Sequence, residues 1–286
     1  MENSRPIPIL ETIAPLASRY NVWLLDIWGV LHNGVRPFPH AVDACRRFRQ
    51  QGGAIILVSN SPRPRAGVIE QLTQIGVPAE CYDDVVTSGD VTRTLVSAYA
   101  GEKVFHLGPE RDKRFFDGLP ITLGTPDDSS AVVCTGLVDD DTETPDDYID
   151  ILKIFQPRNL NFICANPDII VERGNKLIYC AGALAKVYTE LGGSVQYAGK
   201  PHAPIYELAL SFSHRYVAAP HRYVAIGDGI HTDIAGAVAQ GIDAIFIAST
   251  VHIAGARNGA LTPESLAHAF AKERFCPVAA LSQLVW

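Results

Sequence analysis

The sequence predicts an α/β protein with a doubly wound, Rossmann-like parallel sheet, interrupted by an inserted second α/β domain. Three observations carry that expectation. Short apolar runs bounded by Gly, Asn or Asp alternate with stretches of helical spacing, as the strands and helices of a doubly wound sheet do. A residue able to do chemistry stands just behind each of four such runs: Asp26, Ser59, Lys200 and Asp228. The spacing from Asp26 to Ser59 is 33 residues and from Lys200 to Asp228 is 28, about one strand-helix unit each, whereas 141 residues separate Ser59 from Lys200.

Taken in order, Val22-Trp23-Leu24-Leu25 reads as the first strand, followed by Ala54 to Val58. Val195 to Ala198, Tyr223 to Ile226 and Ala244 to Ile247 continue the pattern, since strands buried on both faces are near-continuous apolar runs. Helical spacing covers Ala41 to Gln50, Arg65 to Ile75, Ile205 to Phe212 and Thr232 to Gln240. The last of these starts on Thr232 ahead of Asp233, a reasonable helix start. The long gap holds strand-like runs at Lys103 to Leu107, Ala131 to Cys134 and Leu160 to Cys164, with helices at Asp146 to Phe155 and Gly182 to Leu191. The expected division is a core of residues 1–87 and 197–286 around an inserted domain of residues 88–196, whose ends lie close together.

Composition excludes several classes. With 286 residues, 47% hydrophobic and 19% charged, the chain is globular rather than disordered. Its 23 glycines and 19 prolines show no fixed period, which excludes collagen-like and repeat architectures. A net charge of -7, from 31 acidic and 24 basic residues, argues against a broad basic face for nucleic acid or an anionic membrane, while leaving room for a local basic pocket. Cys45, Cys81, Cys134, Cys164, Cys180 and Cys276 form no C-x-x-C pair and read as reduced, buried thiols. No run approaches the ~18 apolar residues of a membrane span, and residues 1–20 lack a basic cluster leading into an apolar stretch. These features predict a cytoplasmic protein with no membrane or nucleic-acid partner.

In open parallel sheets, reactive groups gather beyond the carboxyl ends of the strands. Asp26 and Asp228, with carbonyl or water oxygens, make a hard oxygen site suited to Mg²⁺ and substrate phosphate. Lys200 supplies a positive point charge. Ser59, Asn60 and backbone N–H groups can hold phosphate oxygens, and Asp26 can then attack phosphorus. Each residue alone is as well explained as a turn or a helix cap; four in the expected order point to phosphoryl transfer.

Leu25-Asp26-Ile27-Trp28-Gly29-Val30-Leu31-His32-Asn33-Gly34 resembles the first motif of the haloacid dehalogenase-like (HAD) hydrolase superfamily. Val58-Ser59-Asn60-Ser61 is similar to the second, Gly199-Lys200-Pro201 to the third, and Gly227-Asp228-Gly229-Ile230-His231-Thr232-Asp233 to the fourth. The insertion point, Thr87-Ser88-Gly89-Asp90 and Ala165-Asn166-Pro167-Asp168 resemble subclass IIA, the nitrophenyl-phosphatase-like and pyridoxal-phosphate-phosphatase-like enzymes. The resemblance covers nearly the whole chain. It implies a HAD core with an inserted cap and a Mg²⁺-dependent phosphatase of a small phosphorylated metabolite. By the same resemblance, Asp26 is the nucleophile that becomes an aspartyl phosphate. Asp26, Asp228 and the Trp28 carbonyl bind Mg²⁺, Ser59 and Asn60 grip the phosphoryl group, and Lys200 balances charge. Asp233 sits beside the metal or orients Lys200. Subclass IIA caps also imply a homodimer through the cap, which no isolated feature here carries.

The sequence departs from the family at Trp28. Family phosphatases carry a second Asp there, which protonates the leaving oxygen and then activates water. Indole has one N–H donor and no basic site, so Trp28 does neither, and a slow phosphatase is expected. His32 is the candidate surrogate proton carrier, with His202 and His231 also near motifs. Two alternatives follow from Trp28: a non-catalytic protein that binds a phosphorylated ligand, and a haloacid-type dehalogenase. Asp228 and Asp233 preserve the metal-type fourth motif, which speaks against dehalogenation. The resemblance places the loop Asp168 to Lys176 over the active site and so implies that specificity comes from it, with Arg173 and Asn175 as candidate substrate contacts. The acidic run Asp139-Asp140-Asp141 reads as a solvated loop leading into a helix. No G-x-S-x-G, Walker or G-x-G-x-x-G motif is present.

Overall fold

The computed structural model describes residues 6–173, 176–248 and 261–286. In chain order its strands are β1 (Val22–Leu25), β2 (Ala54–Ser59), β3 (Asp84–Thr87), β4 (Lys103–Leu107), β5 (Thr122–Leu123), β6 (Ala131–Cys134), β7 (Asn161–Cys164), β8 (Ile170–Arg173), β9 (Lys176–Tyr179), β10 (Val195–Tyr197), β11 (Tyr223–Gly227), β12 (Asp243–Ile247) and β13 (Ala279–Leu281). The chain forms two compact units, one of Met1–Ser59, Ile69–Val86 and Tyr206–Trp286, the other of Asn60–Val68 and Thr87–Ile205.

The first unit is built on a sheet of order β13-β12-β11-β1-β2-β3. β1 runs parallel to both β2 and β11, with Leu25 opposite Leu57 and Ile226. Every residue of β1 and β2 is buried, which is why both segments are unbroken apolar runs up to Ser59. The helix Pro39–Gln50 begins with proline, whose fixed φ suits the first helical position. It buries Ala41, Val42, Ala44, Cys45 and Phe48 at three- and four-residue spacing. Phe48 stacks on Trp23 with ring centroids 4.0 Å apart; each such side chain withdrawn from water contributes about 1.5–3 kcal/mol. Strand order turns back between β1 and β11. That is the switch point where an open α/β sheet forms its ligand crevice.

The second unit carries its own parallel sheet, β10-β7-β6-β4-β5. Side chains of β6 alternate between its faces. Val132 and Cys134 join a cluster with Phe155, Phe162 and Tyr188, while Ala131 and Val133 join Val96, Val104 and Phe116. The Tyr188 hydroxyl donates to the Leu160 carbonyl at 2.8 Å, so the phenol is satisfied in the core. The helix Ser88–Val96 starts from a reciprocal cap, Thr87 with Asp90.

Three expectations need correction. The segment expected as a loop from Asp168 to Lys176 contains β8, which pairs with β9 as an antiparallel hairpin, Arg173 opposite Lys176. The helix expected over Thr232 to Gln240 is a wide turn, Ile230–Ile234, followed by Ala235–Ala239. Residues 60–68 and 197–205 group with the inserted unit rather than with the core. The ties are local: Gly89 N–H donates to the Ser61 carbonyl at 3.0 Å, Arg65 N–H donates to Asp90 at 3.0 Å, and Ala198 N–H donates to the Cys164 carbonyl at 3.2 Å.

Candidate active site

Asp26 directly follows β1, where its N–H still donates to the Ile226 carbonyl at 2.8 Å. Asp228 directly follows β11. Asp233 lies in the wide turn, where both its own N–H and that of Ile234 donate to the Gly229 carbonyl at 2.9 and 3.1 Å. The second bond spans five residues. A turn of that width is rare and recurs at functional sites.

Asp26, Asp228 and Asp233 are only 7, 8 and 5% exposed, and each offers a carboxylate oxygen within 4.8 Å of the others. Three buried carboxylates this close repel one another strongly. A hard divalent cation is the partner that such a donor set fits. Two glycines let the carboxylates approach. A Cβ on Gly29, whose φ is +77°, would stand inside the Asp228 carboxylate, and one on Gly227 would lie 2.6 Å from Asp233 Oδ1 and nearer still to its Cβ and Cγ. Gly229 N–H donates to Asp233 Oδ2 at 3.1 Å. The Tyr206 hydroxyl reaches the carbonyls of Asp233 and Thr232 at 3.2 and 3.3 Å, pinning the turn from behind.

The loop after Asp26 is closed on itself. Gly29 N–H donates to the His32 carbonyl at 3.0 Å and His32 N–H to the Ile27 carbonyl at 3.2 Å. His32 is 1% exposed. Its Nδ1 accepts from Gly34 N–H at 2.9 Å, and burial pushes its imidazole down to about 4. The expected surrogate proton carrier is thus a buried, neutral ring that braces the loop. Trp28 meets that ring edge to face, centroids 5.0 Å apart, yet remains 40% exposed. His202 stacks on Tyr197 at 4.4 Å, and burial lowers its pKa. His231 is largely exposed, 3.8 Å from Glu273.

Ser59 ends β2 and is buried. In the second unit, Asn60 and Lys200 are brought together. Lys200 N–H donates to Asn60 Oδ1 at 2.7 Å, while Asn60 Nδ2 donates to the Lys200 carbonyl at 3.1 Å and to Asp168 at 2.9 Å. Both amide hydrogens of Asn60 are therefore engaged. Its side chain thus holds the Lys200 backbone, and neither side-chain amide hydrogen is left over for the phosphate contact expected from the motif. Asp168, 108 residues away, was not legible as its partner. Arg173 ends β8, and Asn175 lies outside the described residues. Asp139 holds Asp141 N–H and the Thr142 hydroxyl while Asp140 pairs with Arg111 at 2.6 Å, the arrangement of an exposed turn. Cys276 is exposed, unlike the five buried cysteines, and lies between the helix Pro263–Ala269 and β13.

Comparison with known proteins gives the following. A family model described as haloacid dehalogenase-like hydrolase matches residues 23–122, and a second, HAD-hydrolase-like model matches residues 197–272. A solved hydrolase of the haloacid dehalogenase-like family from Brucella suis 1330 is 45% identical, with 96% of this chain and 100% of that chain covered and a TM-score of 0.84. A 4-nitrophenylphosphatase of Schizosaccharomyces pombe is 25% identical over 243 residues, 76% of this chain and 79% of its own. The 5′-nucleotidase YutF of Bacillus subtilis is 25% identical over 232 residues, 80% and 87% of the two chains.

Proposed function

Because the chain belongs to the haloacid dehalogenase-like hydrolases, we propose that it is a Mg²⁺-dependent phosphatase that cleaves a small phosphorylated metabolite through an aspartyl phosphate on Asp26. The observation that carries this reading is the buried cluster of Asp26, Asp228 and Asp233 at the β1–β11 switch point. Asp26, Asp228 and the Trp28 carbonyl would hold Mg²⁺, with Asp233 fixing the cluster from behind. The ion's chemistry is to neutralise phosphoryl oxygens and so admit an anionic nucleophile.

The remaining roles fall to the chain's own groups. A carboxylate oxygen of Asp26 attacks phosphorus, and the bond to the leaving oxygen breaks with its electron pair on that oxygen. Water then attacks the aspartyl phosphate, releasing inorganic phosphate and restoring Asp26. The Ser59 hydroxyl donates to a phosphoryl oxygen, Lys200 supplies a positive charge, and Asn60 fixes the Lys200 backbone. Retention of Asp228 and Asp233 favours this reading over metal-free halide displacement.

The test is a phosphate-release screen over phosphorylated metabolites with and without Mg²⁺, comparing the wild type with Asp26→Asn. Turnover that needs both Mg²⁺ and Asp26 is expected. Its absence on every compound would return the chain to the role of a phospho-ligand binder, and Mg²⁺-independent halide release would make it a dehalogenase.

A further inference from the structure

Trp28 stands two residues beyond Asp26 and next to Gly29, the glycine whose α-carbon abuts the Asp228 carboxylate. It is an exposed aromatic that the loop is built to hold. Gly34, at φ +87°, lies so close beneath it that a Cβ would come within 2.5 Å of the indole Cη2, and His32 supports the ring edge to face. The same Gly34 fixes His32 through its N–H. Gly34 and His32 thus hold one indole in one place, on a residue whose chain neighbour Gly29 lies against the Asp228 carboxylate.

Two consequences follow for the leaving group. First, indole carries no transferable acid proton and no base, and the neighbouring His32 is enclosed with its Nδ1 engaged. The loop therefore gives no proton to the departing oxygen. Second, a fixed, exposed indole offers a flat apolar face to a flat ligand.

We infer that the substrates are phosphates of acidic hydroxyls on a planar skeleton, meaning aryl, enol or acyl phosphates, and that Trp28 selects them by stacking. This rests on the aspartyl-phosphate reading of Asp26. In the first step the Asp26 oxygen forms its bond to phosphorus while the P–O bond to the leaving group breaks. The electron pair leaves on a phenolate, enolate or carboxylate, which needs no proton at that moment. In the second step water attacks phosphorus and gives its proton to solvent, and the bond to Asp26 breaks. Without a base at position 28 this second step is the slower one, so aryl phosphates release their phenolate in a burst.

Two measurements test the inference. One compares kcat/KM for substituted phenyl phosphates, up to phenol itself with a leaving-group pKa of about 10 as in tyrosine, and for glycerol phosphate. Wild type is expected to fall steeply with leaving-group pKa and to be slowest on glycerol phosphate. Trp28→Asp is expected to raise the glycerol phosphate value by about 10²–10⁴-fold, the usual contribution of general acid catalysis. The other needs no catalysis: the affinities of phenylphosphonate and methylphosphonate, with wild type favouring phenyl by about 2- to 12-fold, the range of an aromatic stack, and Trp28→Leu abolishing the preference. Equal kcat/KM on phenyl and glycerol phosphates, or equal affinities for the two phosphonates in wild type, would overturn the inference. Failure of every Asp26-dependent phosphate release would instead strike the proposed function, leaving the phosphonate pair to decide on the stacking.

Discussion

Replacing Gly227 by alanine tests whether the carboxylate cluster is a metal site held in shape by a close approach. Gly227 is the last residue of β11 and is buried, and its φ lies outside the left-handed region, so alanine is not excluded by the backbone. The obstacle is Asp233, whose Oδ1 would lie 2.6 Å from the new Cβ. Contacts below 3.0 Å essentially never occur, so the Asp233 side chain must leave its place in the cluster. Overpacking of this kind costs about 1–3 kcal/mol without metal. A displaced supporting group weakens metal binding by about 10–100-fold. At free Mg²⁺ about 100 times the wild-type Kd, the metal adds about 2.7 kcal/mol to the wild type. In Gly227→Ala that increment falls to about 1.4 kcal/mol for a tenfold loss and about 0.4 kcal/mol for a hundredfold loss. Urea unfolding at zero and saturating Mg²⁺, followed by tryptophan fluorescence, reads both terms. Gly67→Ala is the control: it sits in the helix Arg65–Ile75, the new Cβ would meet only Arg63 Cβ at 3.9 Å, and the change should stabilise by about 0.5–1 kcal/mol. A Gly227→Ala protein that keeps the full magnesium increment would refute the reasoning.

The other expected outcomes concern polar groups and thiols. Asn60→Ala removes both bonds to the Lys200 backbone and the bond to Asp168, at a cost of about 1–3 kcal/mol; it should lower kcat more than it raises KM, and an unchanged kcat would exclude a positioning role. His106 donates to or accepts from Thr135 at 3.0 Å, and burial lowers its pKa from 6.5 to about 4. The unfolded chain therefore binds the extra proton between those values, so stability is fully present above pH 6.5 and declines as pH falls toward 4, by up to about 1.4 kcal/mol per pH unit. His106→Gln should flatten that slope in urea melts at pH 7, 6 and 5, and an identical slope would rule His106 out as its source. A thiol reagent should modify Cys276 alone in the native protein and all six cysteines in denaturant; burial pushes the Cys81 thiol up to about 11, which slows its reaction further. More than one fast-reacting native thiol would contradict the buried assignment.

What the sequence made legible follows from which forces act locally. β1 and β6 coincide with their apolar runs because a strand buried on both faces must be apolar throughout. β3 escaped notice because it has only two apolar residues, and its buried Asp84 is held by Arg215 and Tyr216 from 131 and 132 residues away. Asp26 and Asp228 were visible as strand-end residues. The wide turn around Asp233 was not, since its geometry answers to the crowding of Gly227 and Gly229 against the Asp233 side chain. His32 answers to non-local geometry too: its place near the first motif suggested a proton carrier, while its burial accompanies the loop folding back over Ile27 and Gly34. Asn60 was placed beside the chemistry, but its engagement with Asp168 depends on a contact that no spacing rule announces.

On the proposed phosphatase reading, two roles at position 28 part company. Metal binding at that position would depend on a backbone carbonyl, which every residue type supplies. Proton transfer depends on the side chain, which only a few types supply. The first can therefore persist while the second is replaced. The replacement is not confined to one residue, because the indole fills the space above Gly34, where any side chain would collide with it, and leans on His32, which Gly34 in turn holds. Residues in mutual contact do not contribute additively. An aspartate placed at position 28 would restore a carboxyl group but leave the face of Gly34 and the edge of His32 uncovered, in a loop shaped around a ring. The loop from Asp26 to Gly34 is thus one unit, and on the proposed reading its carboxylate end would handle phosphate and its indole end would govern what the phosphate is attached to.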